Sequence, residues 1–598
     1  MFMSMKKIVY IIGIAITGLI MSCSDDVLDA PTKSSLDESI IFSTPDLAEG
    51  AVDGIKVSFG ETNSYRGRYL PWYGMNTDVE WYSSSDKYPD GKADLAVYAA
   101  TPSNSQMNTS NNVWAKMYEA IERANICIQG IRNYGTPEPG NEMGQLLGEA
   151  LTLRAVFYAD LLKTWGDVPA RFEPISTETL YLEKTSRDSI YKHLIVDLGE
   201  AESLVAWPNE TAATQTVERI NKAFVKGLRA RLCLVASGYS QYPDGIRRSN
   251  DPDLAVDEMY TIANQECLDI INSGTCELES DFATVFIKNC QDGIAAGGES
   301  MWEIPFSDGR GRMLFTFAIR HNSVDQHTSQ ARGGQAGPLP YLFYDYDQAD
   351  TRRDITCVPY DWGKAVDGFA QQELQELDNW AFGKYRYEWM NRIVTSTNDD
   401  GVNKLYMRYA EVILMAAETE NELNGPSAAA PYLKMLRQRA FDASDWGVEV
   451  DQYVNALTTK ETMFDAIVKE NKLEFTGEMV RKQALIRWNL LKTKLDEAKE
   501  KMYDLRQRAG EYADVPEKLY YKYAEDNETL MIYGLNRGED EDMSADYEYS
   551  TTYVASDQLD DDKIESLYAQ NPNDYEFWPI WQVFLDSSNG KLVNDYGY

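Results

Sequence analysis

The chain has 598 residues, of which 43% are hydrophobic, so it can bury a substantial core as one large domain or as several. It carries 95 acidic against 57 basic residues, a formal net charge of −38 at pH 7. A surface this acidic repels phosphate backbones and anionic lipid headgroups, which argues against nucleic acid as a partner.

The first 22 residues have the layout of a secretory signal peptide. Lys6 and Lys7 precede an apolar run over 8–20, and a small residue comes directly before Cys23. The run is short for a transmembrane helix. A cysteine at this place resembles the lipobox of bacterial lipoproteins, in which the thiol is diacylated and the signal is removed. An ordinary signal peptide followed by an incidental cysteine is the alternative.

We therefore predict a signal peptide over 1–22, a lipid on Cys23 and a polar tether over 23–37. Several acyl chains anchor a protein firmly, because each buried CH₂ contributes about 0.8 kcal/mol. The acidic stretch Ser24-Asp25-Asp26 is similar to the surface-export signal of Bacteroidetes lipoproteins. That likeness implies an outer-membrane protein that faces the cell exterior.

The segment from Glu61 to Ser110 interrupts a helical pattern. A helix is expected from Pro45 to about Phe59, after which Tyr and Trp residues are interleaved with Gly, Asn, Ser and Asp. Linkers seldom carry so many aromatic residues, so this stretch is predicted to be a long ordered loop region.

Helical periodicity returns after residue 110. Apolar spacing predicts helices from Val113 to Ile128, from Glu142 to Trp165, after a cap at Ser186, from Asn221 to Ser237 and from Asp257 to Ser273.

The middle of the chain differs, because Glu299–Ile304 alternates like a short strand and the following residues to Asp350 are rich in Gly, Pro and aromatics. Further helices are predicted over about Met407–Leu423, Ala428–Phe441, Lys460–Glu474 and Thr476–Thr493. The tail after Val515 is acidic and rich in tyrosine, with loops expected at 538–550 and 556–562. The pattern favours a mainly all-α fold of stacked helical hairpins with long loop-rich insertions and a few short strands. No 34-residue repeat is visible.

Motifs in four parts of the chain carry a resemblance to one family. The segment 405–418, LYMRYAEVILMAAE, resembles the RYAEVLLMYAEA helix of the SusD/RagB family, and 431–440 is similar to its next helix. Residues 470–488 match its "ER…E…F.G.R..DL.RW" helix, except that Asn471 replaces an arginine and Ala484 an aspartate. The segments 154–169, 350–354, 578–580 and 594–598 follow the family's order as well.

The resemblance implies tetratricopeptide-like hairpins in a single SusD-like domain over 38–598, with an N-terminal helical half to 295 and a C-terminal half from 296. It implies a lipoprotein on the outer membrane that binds oligosaccharide, or sometimes peptide, and passes it to a SusC-like TonB-dependent transporter. It implies no enzymatic activity and no cofactor.

Binding a sugar requires flat aromatic rings for its C–H faces and polar side chains for its hydroxyls. The loop region supplies both types: Arg68, Trp72, Asn76, Asp78, Trp81 and Tyr82. The family resemblance adds loops after the middle strand, with Tyr341, Trp362 and Trp380. The competing interpretation is that these rings pack the loops onto the helices, and a purely structural surface protein would bury them all.

The charged residues of the family motifs are predicted to stabilise the fold. Arg408 and Glu411 lie three residues apart and can pair across one helical turn. Arg154 sits near an apolar stripe and is expected to meet a carboxylate from a neighbouring helix.

Enzyme and metal sites have weaker support. A glycoside hydrolase would need two facing carboxylates, a spatial relation that the sequence does not give. The acidic pairs Asp399-Asp400 and 560–562 have the character of solvated loops. His321 and His327 with Asp325 fit no named zinc motif, and no G-x-S-x-G, H-E-x-x-H, P-loop or EF-hand pattern occurs. Cys276 and Cys290 flank a loop, where a disulfide or two free thiols are both compatible with the sequence.

Overall fold

The computed structural model describes residues 37–306, 310–396, 400–554 and 558–598. The predicted signal peptide, Cys23 and all of the predicted tether except Asp37 lie outside the described residues. Asp399 and Ser556, in two of the predicted loops, lie outside them as well.

Twenty α-helices make up most of the regular structure in this part of the chain. Helices α1 to α10 are Glu38–Ser43, Pro45–Lys56, Ala93–Ala96, Val113–Tyr134, Glu142–Trp165, Arg187–Leu204, Lys222–Ala236, Val256–Ser273, Phe282–Cys290 and Met313–Phe317. Helices α11 to α20 are Leu342–Asp345, Arg353–Thr356, Tyr409–Asn424, Pro426–Ala440, Tyr453–Asn455, Lys460–Phe475, Arg481–Arg487, Leu491–Gln507, Asp561–Glu565 and Gln582–Ser587.

Eleven short strands accompany the helices in the described residues. They are β1 to β11: Glu80–Tyr82, Ser240–Tyr242, Gly245–Arg247, Ser300–Ile304, Ala336–Pro338, Tyr360–Trp362, Gln372–Leu374, Lys404–Arg408, Lys518–Tyr523, Leu530–Tyr533 and Tyr549–Thr552. All pair antiparallel, in four two-stranded ladders and one three-stranded sheet of order β10-β9-β11. The predicted mainly all-α class is therefore confirmed.

The long helices stack in sequence order. Helix α4 packs on α5, α5 on α6, α6 on α7 and α7 on α8, as expected for consecutive helical hairpins. Helix α8 then packs on α13, which packs on α14 and α16. One hydrophobic cluster extends through these helices, from Phe42 to Trp581.

The 135-residue stretch between α8 and α13, residues 274–408, leaves the stack and returns to it. Strand β4 near its start pairs antiparallel with β8 at its end, with Ser300 opposite Arg408 and Ile304 opposite Lys404. Because β8 runs directly into α13, this ladder joins the two ends of the insertion at the surface of the stack.

The predicted helices agree with the structure where caps are strong. Asn221 caps α7 by accepting the Phe224 N–H, and Ser186 caps α6 by accepting the Asp188 N–H. The predicted start of the helix over about 407–423 was wrong, because Met407 belongs to β8 and α13 begins at Tyr409.

The predicted helix over 476–493 is in fact two helices, α17 and α18. Thr476 ends α16 in an extended conformation, and Gly477 follows with a φ of +82°, which an L-residue rarely adopts. Met479 also has a positive φ. In the tyrosine-rich tail, loops were expected at 538–550 and 556–562, and no strand was predicted; β9, β10 and β11 form a sheet there, and β11 begins at Tyr549 inside the first predicted loop.

A buried ion-pair network joins distant parts of the chain at Glu474, near the end of α16. The Glu474 carboxylate accepts from Arg408 at 2.6 Å, from Arg352 at 2.8 Å and from Arg439. All four side chains are at least 96% buried. Burial alone would raise the pKa of Glu474, but the three guanidiniums hold it well below its usual range.

Two ion-pair predictions have different outcomes. Arg154 in α5 pairs with Asp197 of α6 at 2.6 Å, which confirms a neighbouring-helix carboxylate. Arg408 does not pair with Glu411. It precedes α13 as an extended residue and turns inward to the network, while Glu411 pairs with Arg231 of α7 at 2.6 Å.

Asn471, which stands where the family has an arginine, accepts a hydrogen bond from Arg481 at 2.9 Å. The six cysteines among the described residues, Cys276 and Cys290 included, are buried free thiols. Within the same residues, no helix is both long and apolar enough to cross a membrane.

We expect Glu474→Gln to lower the free energy of unfolding by about 3–5 kcal/mol, because it leaves three buried guanidiniums short of a counter-charge. Urea denaturation followed by circular dichroism measures this. Glu422→Gln is the control, since Glu422 is half-exposed and lies 3.9 Å from Lys460. A loss below about 1 kcal/mol in the Glu474 variant would contradict a structural role for the network.

Glu80 generates a prediction on pH. Burial raises the pKa of its carboxyl to about 8 from an ordinary 4.5, although the Gly477 N–H stabilises the charged form. Between these values the folded chain keeps a proton that the unfolded chain has lost, so this group's contribution to stability falls as the pH rises. Glu80→Gln should therefore gain stability relative to the wild type between pH 5 and pH 8. Calorimetric melting at both pH values tests this, and a constant difference would contradict the shifted pKa.

Candidate functional site

The largest of the described cavities has a volume of about 830 Å³ and lies between the helical stack and the C-terminal part of the chain. It is lined by side chains from the loop before β1, from α11, α15, α16, α17 and α18, and from Arg537. Drug-sized ligands and cofactors occupy pockets of about 300–1,000 Å³, so this one is large enough for a short oligomer.

Aromatic side chains form part of the cavity wall. Tyr453 and Phe464 are half-buried at its rim, whereas Tyr341 and Tyr344 are buried deeper. One face of the Tyr453 ring lies against the Arg437 guanidinium at 3.9 Å. The Tyr344 hydroxyl is buried without a hydrogen-bond partner, so it can accept or donate to a ligand that reaches it.

Fixed charges form the rest of the wall. Arg481 donates twice to Asp78, at 2.8 Å from each of two nitrogens. Asp345 accepts from Lys472 at 2.5 Å and from Lys501 at 2.8 Å. These pairs hold hydrogen-bonding groups in set positions, which limits the ordering cost when a polar ligand binds.

The two acids nearest to Tyr341 remain charged. Burial would raise the pKa of Asp78, but the Arg481 guanidinium outweighs it and keeps that pKa below its usual range. Burial is likewise outweighed at Asp345, whose pKa is lowered by the Lys472 and Lys501 ammonium groups. Neither acid has the raised pKa that a general acid requires near neutral pH.

The structure brings two of the nine predicted ligand residues to this cavity. They are Asp78 and Tyr341, which also contact one another, because the Tyr341 hydroxyl donates to the Asp78 carbonyl.

Four others belong to one segment of the chain. Arg68, Trp72 and Asn76 precede β1, and Tyr82 is the last residue of β1. The Arg68 guanidinium is 5.7 Å from the Trp72 ring, and Asn76 accepts from the Tyr82 N–H at 2.9 Å.

Trp81 and Trp380 belong to a core beside the β1–β5 ladder. Trp81 lies opposite Gly337 in the ladder, and a Cβ at Gly337 would collide with the Trp380 carbonyl oxygen. Trp81 is 1% exposed and Trp380 3%. Trp362 is separate from both groups, packed against His321 and His327, with its Nε1 donating to Glu388.

Glycan binding through these rings requires them to stand at a surface, whereas the competing interpretation packs them onto the helices. Trp72, Trp81, Tyr82, Trp362 and Trp380 are all buried, because the loops fold back onto the helices and onto each other. Asn76 is buried too and ties the loop to itself. Ligand contact by these residues therefore stays a prediction, and the exposure that such contact requires is not observed.

The aromatic and cationic residues that line the cavity beside Asp78 and Tyr341 were missed. Phe464, Lys472 and Lys494 lie in or beside segments that helical periodicity had assigned to structure, and Tyr453 lies in a segment for which no element was predicted. For Phe464 and Lys472 the one signal was their place off the apolar stripe of α16, a pattern that surface helices share.

His321 Nδ1 lies 2.7 Å from an Asp325 carboxylate oxygen, and His327 Nε2 lies 2.9 Å from a Glu528 carboxylate oxygen, both at hydrogen-bond distance. Among the described residues, no group of three or more His, Cys, Asp or Glu side chains is placed to hold a metal ion.

Two family models match the chain. The one described as "SusD family" matches residues 322–598, and the one described as "Starch-binding associating with outer membrane" matches residues 49–234. The SusD-like protein P25 of Formosa agariphila is 24% identical over 432 residues, which cover 67% of this chain and 74% of that protein.

Solved structures show the same fold. A SusD homolog from Bacteroides thetaiotaomicron superposes with a TM-score of 0.71 at 16% identity, covering 94% of this chain and 99% of that one. Surface glycan-binding protein A of the same species, solved in complex with laminarihexaose, superposes with a TM-score of 0.61 at 18% identity over 92% and 99%. The solved structures show the fold, and the two family models, which match the two halves of the chain in their expected order, show that the chain belongs to the SusD/RagB family.

Proposed function

We propose that this protein captures an oligosaccharide at the cell surface, in the 830 Å³ cavity, and delivers it to a TonB-dependent transporter of the outer membrane. The observation that supports this most is the wall of that cavity, where tyrosines alternate with charged groups already fixed by ion pairs. A sugar needs this combination, because its C–H faces pack on rings while its hydroxyls bond to polar atoms.

The charge state of Asp78 and Asp345 supports binding in preference to hydrolysis, although burial raises the pKa of Asp350 and of Glu449 in the same lining. A glycoside hydrolase needs one protonated and one charged carboxyl on opposite sides of the scissile bond. Asp78 and Asp345 are both held as carboxylates by neighbouring cations. Their lone pairs are free to accept from ligand hydroxyls but carry no proton to donate.

Membrane attachment and partnership complete the proposal. The likeness of Cys23 to a lipobox and the description of the family model that covers residues 49–234 both support an outer-membrane location. A lipid anchor beside a transporter raises the effective concentration of captured ligand, so weak binding in the cavity is sufficient.

Tyr453→Ala should weaken oligosaccharide binding about three- to tenfold, since a ring contact is worth about 0.5–1.5 kcal/mol. A glycan array that includes laminarihexaose selects the ligand, and calorimetry measures the affinity. Tyr134→Ala is the matched control, because Tyr134 is 44% exposed and lies outside the lining.

Equal affinities in the two variants would contradict the assignment of the ligand to this cavity. Retention of peptides from a control library, with no saccharide retained, would replace the glycan by a peptide as the cargo. Melting temperatures of both variants exclude loss of folding as the cause.

Cys23→Ala should move the protein from the membrane fraction to the soluble fraction of the producing cell, because it removes the proposed acylation site. Fractionation with labelled palmitate measures both location and lipid. Retention of the label in the variant would contradict lipidation at Cys23.

A further inference from the structure

Arg68 is an unusual arginine in this protein. Several buried guanidiniums face carboxylates, as Arg154, Arg352 and Arg408 do, and the buried Arg187 donates to the Gln241 carbonyl. Arg171 likewise donates to backbone carbonyls. Among the residues that the structure describes, the half-buried Arg68 guanidinium has no hydrogen bond and no ion pair, and its one contact is with the face of Trp72.

Burial without a counter-charge is costly for a cation. Desolvation lowers the pKa of Arg68, and no neighbouring acid opposes it. The Nε atom is buried and has no acceptor. Trp72 Nε1 is likewise buried, and although the Tyr82 hydroxyl lies near the indole it does not complete a hydrogen bond. Two adjacent N–H donors thus lack an acceptor.

A second cationic surface adjoins this turn. The Arg312 guanidinium lies 3.8 Å and the Arg332 guanidinium 5.8 Å from the centre of the Phe315 ring. A terminal nitrogen of Arg312 comes within 3.1 Å of the place where a Cβ would stand on Gly67. Gly67 is required there, because the same Cβ would lie 2.1 Å from the Thr62 carbonyl oxygen.

The Arg312 and Arg332 guanidiniums, gathered on the Phe315 ring, thus adjoin the turn that carries Arg68, in a chain whose net charge is −38. Arg332 is exposed, and its one hydrogen bond in the described structure goes to the carbonyl of its neighbour Ala331. At physiological salt, charges farther apart than about 8 Å are largely screened. For an anionic ligand in contact with these arginines, the attraction to them therefore outweighs the repulsion from the distant acidic surface.

We propose that Arg68, Arg312, Arg332 and Phe315 form a subsite for an anionic saccharide, with the guanidiniums binding its carboxylate or sulfate groups and the ring packing on its C–H face. Guanidinium is the side chain best matched to such groups, because its parallel N–H donors bind two oxygens at once. The proposal rests on the proposed glycan capture and places a second contact outside the 830 Å³ cavity. It makes acidic sugars the preferred cargo.

The test uses the purified full chain at 0.15 M salt with four probes: dextran sulfate, unmodified dextran, galacturonic acid oligomers and poly-glutamate. Dextran sulfate tests sulfate esters, and the galacturonic acid oligomers test carboxylates, with dextran as the neutral control. Affinity gels and calorimetry give the dissociation constants.

At least one anionic sugar should bind, and dextran should bind more weakly. Arg68→Gln should weaken the anionic sugar about tenfold, because a hydrogen bond to a charged group is worth about 1.5–3 kcal/mol. Arg332→Gln should also weaken it. Within the described part of the chain the Arg68 side chain makes no hydrogen bond, so its replacement should leave the melting temperature unchanged.

Arg132→Gln is the matched control, because Arg132 is an exposed arginine paired with Glu200 elsewhere on the surface. Equal affinity of wild type and Arg68→Gln for both anionic sugars would overturn the subsite. Poly-glutamate bound as tightly as the sugars would overturn the saccharide class. A failure of the proposed function is distinguished by a different result: Tyr453→Ala would then bind the oligosaccharide as tightly as the wild type does.

Discussion

The carboxylate of Glu474 is the constraint on which the rest of the structure depends. It receives guanidiniums from three places that are far apart in sequence: Arg352 beside α12, Arg408 at the end of β8, and Arg439 in α14. A charge at 0% exposure is tolerable only when its partners are present, so the insertion and the helical stack must assemble together. Helix α16 thereby serves as the common support of the fold and of the cavity, whose Lys472 lies two residues from Glu474.

Much of the fold was predictable because the sequence signals of a helix are local. Apolar spacing and caps such as Asn221 and Ser186 located the long helices to within a few residues. Non-local effects were not predictable. Arg408 was expected to pair within its helix, yet three distant carboxylates attract it more strongly than one turn of helix does. In the tail, β11 likewise pairs with β9 at a long sequence separation, with Tyr549 opposite Tyr521, and no local pattern specifies that register.

The candidate site was predictable only in part, for a related reason. Composition identifies which segments hold aromatic and polar side chains, but exposure depends on how loops fold back on the core. Trp81 and Trp380 pack around the β1–β5 ladder, whereas Tyr453 reaches the cavity from a one-turn helix with no distinguishing sequence. Asp78 and Tyr341, which did reach it, are held there by each other and by Arg481.

The ladder between β4 and β8 has a consequence for how such a protein can diversify. It holds the two ends of the insertion side by side, so a change of length between them need not displace the helical stack. Doubling the length of a closed loop costs only about 0.6 kcal/mol of chain entropy. Exposed turns of the insertion, such as the one between β6 and β7, can therefore change in length and sequence between related proteins, whereas Arg352 must be kept because the Glu474 network depends on it.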